Sequence, residues 1–259
     1  MKLTQILMAG AIACSMAFAT TAIADDTFSA AQKTQIEGIV HDYLLKNPDV
    51  IIQAVQSLQQ KQMDQMRNKG AEAALKNANA LFASALDPVA GNPQGKVSVV
   101  EFFDYQCPHC VDMDPVFAAL IKSNPDVRVV YKDFPIRGAI SMTAAKAALA
   151  AGKQGKYPEM HEALMKNAKD LTDAKIQELA KAAGLDMKTF KADMDGDAVK
   201  QQITGTYKLA QDIGIMGTPA IFIAKTTLPK DANPAMIDFI PGQVDLKYLQ
   251  DGVAKANKS

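Results

Sequence analysis

Cysteine and histidine are scarce, with three of each among 259 residues. Cys107 and Cys110 stand three apart, and Cys14 lies alone near the start. A zinc site takes four ligands, commonly two pairs of Cys or His. Cys14, His41, His109 and His161 supply no second pair, so a zinc reading of Cys107 and Cys110 lacks half its ligands. Net charge is also absent: 28 Lys and Arg offset 28 Asp and Glu. No global field therefore draws the chain to nucleic acid or to an anionic membrane. Internal repeats and low-complexity tracts are missing too. The longest apolar stretch, Ile6 to Phe18, is too short and alanine-rich for a convincing membrane anchor.

That stretch follows Lys2 and precedes Ala22-Ile23-Ala24, the pattern of a secretory signal peptide over residues 1–24, cut after Ala24. The expected address is the periplasm. Cys14 follows small residues, as lipid-attachment cysteines do, but Ala11 stands where such sites usually carry leucine, three positions earlier. A lipoprotein anchored at Cys14 is the alternative to a leader that is simply removed. Without the leader, Cys107 and Cys110 are the sole cysteines. An exported chain with one pair is not built on a disulfide framework, so the pair is there for chemistry.

What is present points to that chemistry. Val97–Phe103 is an apolar run of strand length, Cys107-Pro108-His109-Cys110 follows, and a helical pattern begins at once. Strand, Cys-x-x-Cys and helix in that order form a thioredoxin-like redox site. The first sulfur sits at the helix N-terminus, where unpaired N–H groups and the macrodipole favour a thiolate. Such a thiolate leaves readily in exchange, which makes the disulfide a good oxidant. Cys107, read as nearer the solvent, is the expected nucleophile, and Cys110, one turn in, resolves the mixed disulfide. His109 between them favours the thiolate by N–H donation or by charge. Glu101 interrupts a buried strand, where a carboxylate is costly unless used or paired. A raised pKa would let it shuttle the Cys110 proton through water. Lys132, at the end of the neighbouring strand, is a candidate charge partner, the alternative being that both point to solvent at the sheet ends. Gly217-Thr218-Pro219 precedes a late strand, and a cis bond before Pro219 would expose backbone groups for an extended substrate chain.

Residues 25–85 read as helices that precede the redox domain. Ser29 caps the first, and Ile36, Ile39, Val40, Tyr43 and Leu44 share a face. Asn47-Pro48 breaks the pattern before Ile51, Ile52, Val55 and Leu58; Gly70 is a weak point, with helix resuming over Ala71–Ala85. This region is expected to join copies of the chain through residues 25–70, as a dimer rather than a trimer, on solvated stalks; packing of its apolar face on the redox domain is the alternative. Asp87 to Gly95 reads as loop. Residues 86–259 form the redox domain: strands at Val97–Phe103 and Val127–Tyr131 around a helix that Pro115 kinks, then a helical insertion over about 138–213. Strands at Ala220–Ala224 and Met236–Ile240 and a closing helix complete it.

Glu101 to Cys110, the helical insertion and Gly217-Thr218-Pro219 together resemble the DsbA-family thiol–disulfide oxidoreductases, over roughly residues 86–256. The resemblance implies an α/β thioredoxin fold with an inserted helical domain and a cis-Pro219 facing the disulfide. It further implies Cys107 as the attacking sulfur, Cys110 as the resolving one, and Glu101 beneath the site with Lys132 as partner. No metal or organic cofactor is called for. The amino-terminal helices are similar to the oligomeric, ScsC-like branch. Thr218, where monomeric oxidases usually have valine, is more typical of isomerases, whereas Pro108-His109 is the strongly oxidising dipeptide. The implied activity is to form and isomerise disulfides in unfolded or misfolded exported proteins. A DsbB-like oxidase or a DsbD-like reductase of the inner membrane would serve as redox partner. A chaperone-like envelope binding protein and a reductase dedicated to one client are the alternatives.

Overall fold

The computed structural model describes residues 28–258, so the expected leader, its expected cleavage site and Cys14 lie outside the described residues. Two compact units divide between Ser57 and Leu58. In the first, α1 (Ala30–Lys46) opens on a capping box: the Ser29 hydroxyl accepts from the Gln32 amide, and the Gln32 side chain accepts from the Ser29 amide. The Asn47 amide and side chain both donate to the Tyr43 carbonyl, ending α1. Pro48 then precedes α2 (Asp49–Lys76). No α1 side chain is buried, and Ile39, Tyr43, Ile51, Ile52 and Val55 remain exposed. The apolar face expected from helical spacing exists, and none of the described residues of its own unit covers it.

The second unit begins within α2. The helix passes through Gly70 rather than breaking there, and α3 (Ala78–Phe82) follows. Glycine is used at position 70 for closeness, since a Cβ would lie 2.1 Å from Cδ1 of Phe239. Ala71, Ala74, Leu81 and Phe82 pack with Phe102, Phe222 and Phe239. The end of the extension thus supplies one wall of the sheet domain's core.

The sheet has the order β1 (Val89–Gly91), β3 (Val127–Asp133), β2 (Val97–Phe103), β4 (Ala220–Lys225), β5 (Asp238–Pro241). β2 and β3 run parallel around the crossover helix α4 (Pro108–Ser123), which continues past Pro115. The other pairings are antiparallel. β2 is buried along its whole length, as a central strand covered on both faces must be. Val97, Val99 and Phe103 face α4, and Val100 and Phe102 face α2 and α3. β1 lies where a loop was expected. Three residues between Asp87-Pro88 and Asn92-Pro93 carry no strand signal of their own, and the pairing of Val89 with Val130 makes the strand.

Between β3 and β4 come α5 (Ala139–Gly152), α6 (Tyr157–Lys166), α7 (Asp173–Ala182), α8 (Met187–Met194) and α9 (Asp197–Ile213). α5 buries a nearly all-alanine surface, which lets its neighbours approach closely. α9 belongs to two layers: Val199 and Ile203 join the helical side, while Leu209, Ala210 and Ile213 cover the sheet. Gly214, at φ 80°, ends it in the left-handed cap that favours glycine. α10 (Leu246–Lys258) closes the chain against α4 and β4.

Candidate active site

The turn from β2 to α4 is built around Asp104. Its Oδ1 accepts from the Gln106 amide at 2.6 Å and the Ser141 hydroxyl at 2.7 Å. Its Oδ2 accepts from the Ile136 and Arg137 amides at 2.7 and 2.9 Å. One buried carboxylate thus ties the turn to the end of β3 and the start of α5. The Cys107 amide donates to the Asp104 carbonyl, and Cys107 is the N-cap of α4 with Pro108 in the first turn. Proline suits that turn, whose amides have no helical partner to lose.

Both cysteines are free thiols, and both are buried, at 0 % and 1 % exposure. Of the two, Cys107 is the less deeply enclosed and the nearer to solvent. The Thr218 carbonyl lies 3.3 Å from its sulfur, contributed by the loop that carries the cis Thr218–Pro219 bond. The neighbouring Pro108 and His109 are the exposed residues of the motif. The Cys107 thiol is pulled down to about 5, first by the hydrogen bond from Cys110, with burial opposing and the Thr218 side chain and the Cys110 and His109 amides adding. The same bond, burial and the charge of Glu101 push Cys110 strongly up. A sulfur that ionises stands beside one that keeps its proton, the division of labour an exchange centre requires.

His109 reaches the sulfur through its backbone amide, while its ring Nδ1 lies 2.6 Å from Oε1 of Gln243. Gln243 carried no sequence signal; it comes from the turn after β5.

Glu101 lies on the α4 face of β2, 1 % exposed, with Oε1 unpaired. Burial first, then the charges of Asp114 and Cys107, raise it well above the usual carboxylate range. The expected pairing with Lys132 does not occur. Glu101 stands across from Tyr131, and Lys132 across from Phe102. Successive residues of a strand point to opposite faces, so Lys132 emerges on the α3 side. There it bonds to Asp87 and, at 2.6 Å, to the Ala80 carbonyl.

Gly217, Thr218 and Pro219 line a groove of about 350 Å³, closed by Ile215, Met216, Phe239 and Pro241 and by Met66 of α2. Met66 was invisible as a site residue, since only the packing of α2 brings it there.

Strand, redox turn, helix N-terminus and cis-proline loop together define a thioredoxin-type exchange centre on a sheet with an inserted helical layer. The model of the DsbA-like thioredoxin domain matches residues 98–254. The chain belongs to that family. Residues 32–65 match the N-terminal domain of the copper resistance protein ScsC. Among solved structures, a thioredoxin-like oxidoreductase from Silicibacter pomeroyi is 38 % identical over 71 % of this chain and 99 % of its own, with TM-score 0.61. Salmonella BcfH is 29 % identical over 87 % and 96 %, with TM-score 0.71. Proteus mirabilis ScsC in a transitional conformation is 28 % identical over 90 % and 98 %, with TM-score 0.60. The thiol:disulfide interchange protein DsbA of Bordetella pertussis is 30 % identical over 52 % of this chain and 67 % of its own. A Salinispora tropica Na(+)/H(+) antiporter is 30 % identical over 53 % of this chain, which spans only 21 % of that protein. No helix among the described residues is long and apolar enough to cross a membrane.

Proposed function

We propose that the protein is a periplasmic thiol–disulfide oxidoreductase that forms and isomerises disulfides in exported proteins. The observation that carries this reading is the Cys107 thiol at the N-cap of α4, 3.3 Å from the Thr218 carbonyl of the cis-proline loop; the lowering of its pKa and the raising of that of Cys110 accord with it. In oxidation, a client thiolate attacks the Cys107 sulfur of the protein disulfide. The bond to Cys110 breaks, Cys110 takes the electron pair, and Glu101 supplies its proton through water. A second client thiolate then attacks the client sulfur of the mixed disulfide, and Cys107 leaves as a thiolate. In isomerisation the Cys107 thiolate attacks a client disulfide, and a client thiol or Cys110 resolves the adduct.

Pro108 starts the helix whose amides serve Cys107, and His109 contributes one of them. Gly217, Thr218 and Pro219 present the backbone beside which a client chain lies, with the groove to Phe239 and Met66 taking its apolar side chains. Lys132 acts in the fold through Asp87. No metal or organic cofactor takes part. Clients are unfolded or misfolded exported proteins, and the Cys107–Cys110 pair is itself re-oxidised by a DsbB-like or reduced by a DsbD-like membrane partner. The leader and the ScsC-like match of residues 32–65 support the address and the branch.

The uncovered apolar row on α1 and the start of α2 supports association with further copies of the chain, as a dimer or a trimer. Sedimentation of the protein and of an Ile39→Glu/Val55→Glu variant tests this; a monomer in both would end the oligomer reading. The activity is tested by refolding scrambled ribonuclease and oxidising a reduced peptide. Cys107→Ser should abolish both, and Cys110→Ser should trap mixed disulfides. Full biological activity of Cys107→Ser would instead favour a chaperone-like role, with the apolar row as the client surface.

A further inference from the structure

The C-terminal part of α2 is seated on the redox domain by three kinds of contact. Gly70 lies against Phe239 with no room for a Cβ. Ala71 and Ala74 are buried in the same apolar layer. Arg67 ties the helix down with polar bonds: its Nη2 donates to Oδ1 of Asp238 on β5 at 2.7 Å and to the Tyr248 hydroxyl of α10 at 2.6 Å. Its guanidinium also lies 5.9 Å from the centre of the Tyr248 ring. A charge-assisted bond to a partly buried carboxylate adds direction to what apolar packing alone would hold. Side chains four apart share a helix face, so the turn that seats Gly70 on Phe239 sets Met66 in the groove that the same ring lines.

That groove also holds Met216, a second thioether, which is 93 % exposed. Among the described residues no charged side chain lines it, and Arg67, next to Met66, spends its charge on Asp238. Thr218 belongs to the groove and also sets its carbonyl 3.3 Å from the Cys107 sulfur. A chain whose cysteine engages Cys107 therefore carries its neighbouring residues past this groove. Thioethers adapt to apolar side chains of different shape. The occupant that fits is an extended client segment with a large apolar side chain close to its cysteine. Met66 falls between the matched segments 32–65 and 98–254, so neither family accounts for it.

We propose that Met66 is a specificity-determining residue of the exchange reaction: through α2, the amino-terminal extension supplies part of the surface that selects clients with a large apolar side chain beside the reacting cysteine. This rests on the reading of the groove as the client site. The exchange at Cys107 does not pass through Met66, so a thiol without such a side chain reacts independently of it. Met66 and the redox centre thus act on different parts of the rate, the first on client binding and the second on the bond exchange itself.

The test compares thiols that share the chemistry and differ in the side chain. Reduced two-cysteine peptides with phenylalanine or serine flanking one cysteine are oxidised by the disulfide form of the full-length protein. Each turnover converts a peptide dithiol to its disulfide and the protein disulfide to its dithiol, and the rate is read by acid quench and mass spectrometry. Reduced glutathione is the thiol without an apolar side chain. The parent should prefer the phenylalanine peptide. Met66→Ala should slow that peptide about tenfold and leave the serine peptide and glutathione within about twofold. Met66→Lys should slow it at least as much and speed a peptide with glutamate in its place; should the alanine variant not fold, the lysine variant carries the same comparison. A preference that survives both substitutions overturns the proposal, and so does an equal loss on every thiol. Altered sedimentation of the variants with the preference intact would overturn it too, by giving the residue to a second copy of the chain. A parent that does not distinguish phenylalanine from serine ends the groove reading itself; a parent that does, with variants that match it, ends only the role of Met66.

Discussion

Glu101 and Lys132 stand on opposite faces of the same sheet, one residue out of step across the β2–β3 pairing. Glu101 lies level with Tyr131, and Phe102 lies level with Lys132. The acid lies on the side of the cysteines, and the base is paired with Asp87 in the layer under α3. Two buried ionisable side chains in neighbouring strands thus lie in separate layers, and their variants should separate as well.

Lys132→Met leaves Asp87 buried without its cation. Loss of one partner of a buried pair should destabilise the protein by about 3–5 kcal/mol, read as a lower denaturant midpoint, with the pH dependence of Cys107 alkylation unchanged. Glu101→Gln should do the reverse. Its carboxyl is raised in the folded state, so the stability it contributes is present at acid pH and lost as pH rises toward the folded pKa. The glutamine variant should match the parent at acid pH, exceed it at neutral pH, and resolve mixed disulfides slowly.

The Cys107 thiol, at about 5 against an ordinary 9.0, is ionised across the neutral range. Alkylation of the reduced protein by iodoacetamide should rise with a midpoint near pH 5. A depressed pKa stabilises the folded dithiol form at neutral pH, an advantage that disappears as pH falls through about 5. Reduction should take up two protons below that pH and one above it. The slope of the potential should accordingly change from about 60 to about 30 mV per pH unit. A single slope through pH 5 would show that the thiol is not depressed.

Asp104→Ala removes the acceptor of two backbone amides, one hydroxyl and the Gln106 amide of the redox turn. Each donor left unpaired in a buried site costs about 1–3 kcal/mol. A thermal melt should show one of the largest losses of any single polar substitution. The alkylation midpoint of Cys107 should broaden or rise as its turn loosens.

Gly70→Ala tests the seating of α2. A methyl there meets the Phe239 ring at 2.1 Å, and Phe239 is itself stacked on Phe222 at 4.5 Å. Overpacking of this kind should destabilise by about 1–3 kcal/mol. Phe239→Leu in the same chain should recover part of it, and denaturant melts of the two single variants and the double variant would show whether they couple.

The sequence by itself determined the local chemistry. The strand from Val97 to Phe103, the start of α4 at Cys107-Pro108 and the cap at Ser29 all follow from residues close in the chain. Period, capping and helix polarity act over a few positions, so they can be read without a fold. The tertiary structure decided everything that depends on which elements meet. Strand register put Lys132 on the far face from Glu101, and pairing with Val130 turned Val89–Gly91 into a strand. Close packing on Phe239 carried α2 through Gly70, and the cis-proline loop covered Cys107. The insertion brought His161 and Tyr157, more than fifty residues from Tyr105 along the chain, under the redox turn. Each of these is set by burial of apolar surface and by the pairing of buried polar groups. Both are properties of the assembled layers, and neither leaves a mark on the spacing of residues along one segment.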